Sequence, residues 1–357
     1  MTSGRAVFHP LRVAAVDRLC PDAVAVTFAV PPELAATFAF RPGQYLTLRQ
    51  EVDGVEERRS YSICSAPPGP PRIGVRRVAD GLFSSRLVDS LRPGEVLEVL
   101  PPQGRFTPDP DQRGGHHGFV AAGSGITPVL SIMTTLLESD PDSRATLLYG
   151  NRRTDTVMFG DELADLKDRH PARLQLVHVL SREPRDVALF SGRLDEERLT
   201  TLLGTVVPTS DVDHWWLCGP FGMLADADRA LTAHGVPAER VHRELFYVDE
   251  PPPEVKRPEE ALVTGPAAEV TVVLDGRETT LTLPADTPIL DAAQRVRADL
   301  PFACKGGICG TCRAKVTSGA VEMRRNYALE QHEVDAGFVL TCQALPRSAT
   351  VAVDYDA

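Results

Sequence analysis

Four of the seven cysteines in this 357-residue chain follow a fixed spacing in its last sixty residues, and that spacing constrains the fold more than any other feature. The pattern is C-x4-C-x2-C followed by a distant fourth cysteine, the arrangement that holds a plant-type [2Fe–2S] cluster. Glycines in the loop FACKGGICGTC let the backbone wind tightly around such a cluster and direct N–H groups to its sulfurs. The predicted ligands are Cys304, Cys309, Cys312 and Cys342.

Two other cysteine chemistries fit this spacing less well. A structural zinc site is usually built from two C-x2-C pairs, and only the pair Cys309 and Cys312 is present. Disulfides are not expected, because residues 1–10 contain no long apolar stretch and predict no secretory signal. We therefore expect an iron–sulfur cluster in a protein with a cytoplasmic location.

The composition argues against two classes of partner. The chain has 38 Lys and Arg against 49 Asp and Glu, a net charge of −11, whereas nucleic-acid binding needs clustered positive charge. No apolar run reaches the roughly 20 residues needed to cross a bilayer. We expect neither a nucleic-acid nor a membrane partner.

The first third of the chain, residues 1–113, is predicted to be a small antiparallel β-barrel. Short β-favouring runs are separated by turn signals such as Pro42-Gly43, and one helix is expected at Leu82–Leu91. The predicted strands are Leu11–Leu19, Val24–Val30, Gln44–Gln50, Glu56–Ile63, Arg72–Val78 and Glu95–Leu100.

Residues 114–248 change to an alternation of strands and helices, which is typical of an α/β domain with a parallel sheet. His116 and His117 are interpreted as part of a loop that precedes the first strand, Gly118–Ala122, and apolar residues then recur at helical spacing from Val129 to Leu137. Ligands of such sheets bind at the carboxyl ends of the strands. The further predicted elements are strands Ala145–Tyr149, Leu174–Leu180 and His214–Leu217 and helices Phe159–Arg169, Asp195–Leu203 and Phe221–His234.

The remaining residues are predicted to form a linker and a third domain. Residues 249–266 are rich in proline and acidic side chains, which favours an extended linker. Residues 267–357 are predicted to be a compact α+β domain. A hairpin at Val270–Leu283 and a helix near Ile289–Ala298 would precede the cysteine loop.

Residues 59–62 (RSYS) and 81–84 (GLFS) together suggest a flavin site in the β-rich third. Arg59 can clamp a pyrophosphate, Tyr61 can lie against a flat ring, and Ser62 can hydrogen-bond the flavin N5. A helix opening at Gly81 to Ser84 would direct backbone N–H groups to the phosphates. R-x-Y-S alone is weak, since Arg59 would also fit a solvated strand edge, but the order of the motifs strengthens the prediction.

Residues 121–128 (AAGSGITP) lie between a predicted strand and a predicted helix, where a phosphate-binding loop is expected. Gly123, Gly125, Thr127 and Pro128 are its candidate nucleotide contacts. The motif is G-x-G-x-x-P rather than G-x-G-x-x-G, so it does not indicate an ordinary Rossmann fold.

Two further segments follow predicted strands of the same domain. Cys218 could approach a nicotinamide, with Gly219 and Pro220 beside it, although a buried cysteine also fits an inert core. Ser181 and Arg182 could bind a 2′-phosphate, because Arg is a bidentate partner for phosphate. The alternative for this pair is a solvated loop.

In this order, the motifs RSYS, AAGSGITP, CGP and CKGGICGTC resemble the ferredoxin–NADP reductase-like oxygenase reductases that carry a C-terminal plant-type ferredoxin domain. The resemblance covers almost the whole chain. It implies FAD as the flavin, NADPH as the donor, a diiron terminal oxygenase as the acceptor and a β-grasp fold for residues 267–357. Residues 314–346 point, within this family, to the reductases of phenylacetyl-CoA epoxidation.

The resemblance also assigns roles to individual residues. Phe246, in the segment Glu244-Leu245-Phe246, would cover the flavin. The implied flavin contacts are Arg59, Tyr61, Ser62 and Ser84, and the implied nucleotide contacts are Gly123, Thr127, Pro128, Cys218, Gly219 and Pro220.

The chemistry of the three cofactors agrees with this order. A nicotinamide gives two electrons as hydride and a [2Fe–2S] cluster takes one, so a flavin is the converter between them. Ser62 and Cys218 are the residues expected beside the hydride transfer. Two alternatives remain: the reductase of a ring- or steroid-hydroxylating oxygenase, and a redox carrier or sensor that does not turn over NAD(P)H.

Overall fold

The computed structural model describes residues 7–52, 55–79, 81–111, 113–247, 267–297, 299–329 and 331–357. These residues form two compact units, one within the range Phe8–Asp249 and the other within Glu250–Ala357. The predicted linker, residues 249–266, lies outside the described residues. The domain limits proposed above stay predictions.

The first unit begins with a six-stranded antiparallel sheet, in the order β4-β3-β6-β1-β2-β5. A bridge between Ile63 and Ile73 joins the end of β4 to β5 and closes the sheet into a barrel. Its interior is apolar, and Leu46, Leu48 and Phe83 are among its buried side chains. The elements are β1 (His9–Cys20), β2 (Ala23–Ala29), β3 (Tyr45–Val52), β4 (Val55–Ser62), β5 (Arg72–Arg76), α1 (Leu82–Asp89) and β6 (Val96–Val99).

The second part of this unit is a five-stranded parallel sheet in the order β11-β10-β7-β8-β9. The fifth strand, β11, was not among the predicted elements. The elements are β7 (Gly115–Ala122), α2 (Ile126–Ser139), β8 (Ser143–Asn151), α3 (Gly160–Arg169), β9 (Leu174–Leu180), α4 (Glu196–Thr205), β10 (His214–Pro220), α5 (Phe221–Ala233) and β11 (Val241–Tyr247).

Two of the helices that flank this sheet, α2 and α4, begin at residues that favour the first turn of a helix. Asp195 caps α4, because its carboxylate accepts a hydrogen bond from the Arg198 N–H at 3.0 Å. Pro128 lies in the first turn of α2, where a backbone N–H would have no helical partner. α2 then buries Val129, Ile132 and Met133 against the sheet.

The interpretation of His116 and His117 as loop residues was wrong. Both lie inside β7, where His117 is paired with His214 of β10. His117 is only 2 % exposed. The His117 ring packs against His214 and Trp216 of β10, and the His116 ring nitrogens lie within hydrogen-bond distance of the Asp211 carbonyl and the Thr146 hydroxyl.

The second unit is an α+β fold around a mixed five-stranded sheet, in the order β13-β12-β18-β14-β16, with a two-stranded sheet of β15 and β17. This is the β-grasp arrangement that was expected. The elements are β12 (Ala267–Leu274), β13 (Arg277–Pro284), α6 (Ile289–Ala293), β14 (Arg313–Ser318), β15 (Val321–Met323), α7 (Gln331–Asp335), β16 (Phe338–Leu340), β17 (Ala344–Pro346) and β18 (Thr350–Asp354).

Among the described residues, no helix is both long enough and apolar enough to span a membrane.

Candidate functional site

The predicted flavin motif lies at the end of strand β4, so its alternate side chains point to opposite faces of the barrel wall. The Tyr61 ring lies 6.2 Å from the Phe83 ring of α1, and burial raises the pKa of the tyrosine hydroxyl. Arg59 is half exposed, and its guanidinium makes a 2.7 Å ion pair with Glu57. Because the Arg59 guanidinium lies at the exposed surface, the side chain can reorient toward a phosphate.

Gly81 and Ser84 form the turn that opens α1. The Ser84 hydroxyl accepts a hydrogen bond from the Val78 N–H at 3.0 Å and donates to the Gly81 carbonyl at 3.2 Å. Gly81 is the N-cap of the helix. Ser84 therefore fixes the turn, and the N–H groups of the first helical turn are the atoms suited to phosphate.

Ser62 and Glu244 meet although 182 positions separate them in the sequence. The Ser62 hydroxyl donates to a Glu244 carboxylate oxygen at 3.3 Å, and Ser62 is 3 % exposed. Burial raises the pKa of Glu244 to about 8, and the hydrogen bond from Ser62 opposes that rise. The carboxyl group is therefore mostly protonated at pH 7.

Cys218 belongs to the same group of residues. It pairs with Glu244 across β10 and β11 and with Ala121 across β10 and β7. Burial, and secondly the charge of Glu244, raise the pKa of its thiol well above the ordinary value. The thiol is a neutral packing and orienting group, and it is not an activated nucleophile.

Glu244 was missed as a site residue in the analysis of the sequence. Within the segment Glu244-Leu245-Phe246, only Phe246 was selected, as a flavin cover. Phe246 is partly buried and packs against the apolar core of the nucleotide domain. The signal that could have found Glu244 is a lone acidic residue within a strand at the carboxyl edge of a parallel sheet.

The predicted phosphate loop forms the turn between β7 and α2. Gly123 has a φ of +54°, a conformation that favours glycine. A Cβ on Gly125 would lie 2.1 Å from the Cys218 carbonyl oxygen, so only glycine lets the loop approach β10 this closely. Thr127 and Pro128 are buried in the first turn of α2, where the Thr127 hydroxyl donates to the Ser124 carbonyl at 3.0 Å.

The other predicted nucleotide residues lie at the same edge of the sheet. Gly219 and Pro220 are the last residues of β10, and Pro220 caps α5. Ser181 and Arg182 follow β9, and their backbone N–H groups donate to the carbonyls of Asn151 and Arg152. The Arg182 side chain is exposed. All these segments border the crevice at the carboxyl ends of the strands.

A separate cavity of about 720 Å³ lies beside this edge, between the barrel and α3. Arg72, Phe159, His178 and Arg185 are among its lining residues. None of the predicted flavin or nucleotide residues lines it. The cavity is therefore not the predicted cofactor site.

In the second unit, the four predicted ligands form two pairs of thiols. A hydrogen bond joins the side chains of Cys304 and Cys309, and another joins Cys312 and Cys342. Among the residues that the structure describes, no group of three or more His, Cys, Asp or Glu side chains could surround a single metal ion. Two pairs fit a two-iron cluster, in which each iron takes two cysteine sulfurs, better than a single zinc ion.

The loop before Cys309 is shaped to hold a thiolate. The backbone N–H groups of Gly306, Ile308 and Cys309 donate to the Cys304 sulfur at 3.3–3.4 Å. The hydrogen bond with the Cys309 thiol lowers the pKa of Cys304, burial opposes this, and the backbone donors lower the pKa further. The donor set and the loop therefore fit the predicted cluster.

Comparison with known proteins identifies each part of the chain. Residues 10–107 match the oxidoreductase FAD-binding domain, residues 119–229 the oxidoreductase NAD-binding domain and residues 272–347 the 2Fe-2S iron–sulfur cluster binding domain. With the geometry above, these matches define an NAD(P)H-dependent oxidoreductase that uses FAD and a [2Fe–2S] cluster.

The relatives of the whole chain make the class more specific. One subunit of the 1,2-phenylacetyl-CoA epoxidase from Escherichia coli is 47 % identical over 98 % of both chains. The ferredoxin reductase component of 3-ketosteroid-9-alpha-monooxygenase from Rhodococcus rhodochrous is 35 % identical over 97 % of this chain and 96 % of that protein. The chain belongs to the family of ferredoxin–NADP reductase-like oxygenase reductases with a C-terminal ferredoxin domain.

A solved structure has the same order of domains. Phthalate dioxygenase reductase superposes with a TM-score of 0.60, covers 97 % of this chain and 98 % of its own, and is 24 % identical. At this identity the likeness supports the fold alone.

Proposed function

We propose that this chain is the reductase component of a phenylacetyl-CoA epoxidase, with a cytoplasmic location, as the sequence predicts. It would pass electrons from NADPH through FAD and the cluster to a diiron oxygenase. The observation that carries the proposal is the 47 % identity to the Escherichia coli epoxidase component over 98 % of both chains. The sites for flavin, nucleotide and cluster are all consistent with it.

The residues of the proposed flavin and nucleotide sites would have the following roles. Arg59 would bind the flavin pyrophosphate, Tyr61 would lie against the ring, and Gly81 and Ser84 would present the start of α1 to the phosphates. Phe246 would cover the flavin. Ser181 and Arg182 would take the 2′-phosphate of NADPH, and the other nucleotide contacts would be Gly123, Gly125, Thr127, Pro128, Gly219 and Pro220.

Ser62, Glu244 and Cys218 would orient the hydride transfer. FAD bound here supplies the conversion of a two-electron hydride into single electrons. Because the Ser62 hydroxyl donates its only proton to Glu244 at 3.3 Å, it would present its oxygen lone pairs, with a fixed direction, to a flavin bound here. Cys218 would lie beside the nicotinamide as a neutral thiol, because burial raises its pKa.

The test is reconstitution with two different oxygenases. The holoprotein is mixed with the oxygenase components of a phenylacetyl-CoA epoxidase and, separately, with a 3-ketosteroid 9α-hydroxylating oxygenase. We expect NADPH oxidation coupled to epoxide formation only in the first mixture. Coupled turnover only in the second would overturn the proposal and favour the steroid-hydroxylating alternative, to which the 35 % identity of the Rhodococcus protein points.

A dye assay separates the enzyme from a redox carrier. The holoprotein alone, with NADPH and a two-electron dye, should turn over many times. A single reduction without turnover would indicate the carrier or sensor.

A further inference from the structure

Gln343, the residue after the fourth cysteine ligand, joins two parts of the cluster loop. Its side-chain amide nitrogen donates to the Lys305 carbonyl at 2.7 Å. The same nitrogen lies 3.8 Å from the Cys342 sulfur, with the geometry of a hydrogen bond to sulfur. A glutamine amide has two N–H donors, so one group serves both contacts.

The position of Gln343 leaves its side chain little freedom. The residue is 1 % exposed. Its Cγ would lie 3.1 Å from a Cβ added at Gly307, a glycine with a φ of +80°. Its own carbonyl accepts a hydrogen bond from the Arg324 N–H at 3.0 Å. A buried polar side chain held this closely is costly to leave unpaired, so the two N–H contacts hold its orientation.

We propose that Gln343 is a positioning residue that sets the reduction potential of the cluster through its N–H contact with Cys342. A hydrogen bond to a ligand sulfur stabilises negative charge, and the reduced cluster carries one negative charge more than the oxidised cluster. The contact therefore favours reduction. The inference rests on the cluster of the proposed function, and it does not depend on which oxygenase accepts the electrons.

The test compares two buried residues on either side of Cys342. Gln343→Leu removes the amide and keeps a side chain of similar size. Thr341→Val is the matched control, because Thr341 is 0 % exposed and its hydroxyl donates to the Cys312 carbonyl at 2.9 Å rather than to a sulfur. The midpoint potential of the cluster is measured in the full-length holoprotein by redox titration followed by EPR, with the flavin potential as an internal reference.

We expect Gln343→Leu to make cluster reduction about tenfold less favourable, a shift of about 59 mV to lower potential for one electron. Thr341→Val should leave the potential unchanged even if it lowers the melting temperature. An unchanged potential in Gln343→Leu, or an equal shift in Thr341→Val, would overturn the proposal.

A second measurement applies if Gln343→Leu does not assemble the cluster. In the wild-type protein, selective ¹⁵N labelling of glutamine side-chain amides should give a weak nitrogen coupling in pulsed EPR of the reduced cluster. That coupling should be absent from Gln343→Met, if this variant assembles. No coupling in the wild type would contradict the contact, whatever the variants do. The midpoint potential and the nitrogen coupling are both independent of the oxygenase test, because neither measurement depends on enzyme turnover.

Discussion

At the scale of single residues, the ionisation of Glu244 sets the charge next to Ser62 in the proposed flavin site. A carboxylate here would place a negative charge within one hydrogen bond of Ser62, beside the expected path of the hydride. Burial of the group opposes that charge and raises its pKa to about 8. Ionisation is therefore favoured only above neutral pH.

The first prediction concerns the pH dependence of flavin reduction by NADPH. In the wild type the rate should fall as the pH rises through about 8, because Glu244 ionises there. In Glu244→Gln this fall should be absent. In Ser62→Ala it should move to higher pH, since the lost hydrogen bond had lowered the pKa of Glu244. Stopped-flow measurements from pH 6 to 9 check this.

The matched control is Glu239→Gln, an exposed residue shortly before β11. It should keep the wild-type profile. If the rate of flavin reduction in Glu244→Gln still falls near pH 8 as in the wild type, another group is responsible for the fall.

The second prediction concerns the choice of donor. If Arg182 binds the 2′-phosphate, Arg182→Ala should lower kcat/KM for NADPH about ten- to a hundredfold more than for NADH. A charge-assisted hydrogen bond contributes on the order of 1.5–3 kcal/mol. Arg169→Ala is the control, because Arg169 is an exposed residue of α3 paired with Glu138. An unchanged ratio of the two kcat/KM values would remove this role of Arg182.

Sequence reasoning can propose residues that belong to a recognisable motif and misses those known only from a contact in the fold. RSYS spans four residues and the first three predicted cluster ligands span nine, whereas Cys342, thirty residues further on, was proposed only as the fourth member of a known spacing. Glu244 depends on a contact with Ser62 that spans 182 positions. The contact of Gln343 with the Lys305 carbonyl could not be predicted from the sequence either, because 38 positions separate the two residues.

At the scale of elements, every described strand of the first unit except β11 was predicted, whereas none of the strands after the cysteine loop was. Strand β9 has the predicted bounds, Leu174–Leu180, because its run of apolar residues is a strong local signal. β11 has three consecutive polar residues, His242, Arg243 and Glu244, so its sequence lacks such a run. The three-residue strands β15 and β17 exist only through their pairing with each other.

Three histidines form a stack along the amino-terminal part of the parallel sheet. The ring centroids of His117 and His214 are 5.6 Å apart, those of His214 and His242 are 5.5 Å apart, and the His242 ring stacks on Trp216 at 4.1 Å. Burial, and secondly His214, lower the pKa of His117 and of His242 to about 4. Burial also lowers the pKa of His214. The negative charge of Asp213 opposes the lowering of the pKa at both His117 and His214.

The third prediction follows from the sign of these shifts. Between about pH 6.5 and pH 4 the unfolded chain binds protons that the folded chain does not, so the stability is complete above pH 6.5 and falls as the pH is lowered. The free energy of unfolding should fall by on the order of 3 kcal/mol for each of His117 and His242 when the pH reaches 4. Urea unfolding at pH 7, 6 and 5 measures it. The fluorescence of Trp215 and Trp216, the two tryptophans of the chain, reports on this domain.

His242→Phe keeps a ring on Trp216 and removes one titrating group. The variant should therefore lose part of the acid sensitivity and keep the rest, because burial also lowers the pKa of His117 and of His214. If its stability falls with pH as steeply as that of the wild type, the stack is not the source of the effect.

At the scale of the whole molecule, the two redox centres belong to different compact units. The proposed flavin and nucleotide residues all lie within Phe8–Asp249, and the four predicted cysteine ligands lie within Glu250–Ala357. The apolar cores of the two units share no residue. The sequence predicts a linker at residues 249–266, which lie outside the described residues, so the limits of the domains stay predictions.

The last prediction uses this division to separate the two steps of electron transfer. In Cys304→Ser a hydroxyl replaces the thiolate that accepts three backbone N–H groups, and a hard oxygen is a poor ligand for this cluster. Iron should be lost and the second unit destabilised, since ligand binding and folding are coupled in small metal domains. NADPH oxidation with a two-electron dye should survive, whereas reduction of a one-electron protein acceptor should collapse.

Cys20→Ser is the control for Cys304→Ser. Cys20 is a buried thiol of the barrel, 7 % exposed, and its sulfur contacts Asp22 rather than any predicted ligand. This variant should keep its iron, its flavin and both activities. Flavin and iron content are measured with each rate, so loss of a cofactor and loss of transfer are told apart. If dye reduction fails in Cys304→Ser while flavin stays fully bound, electrons do not pass from flavin to cluster in this order, and the cluster does not lie downstream.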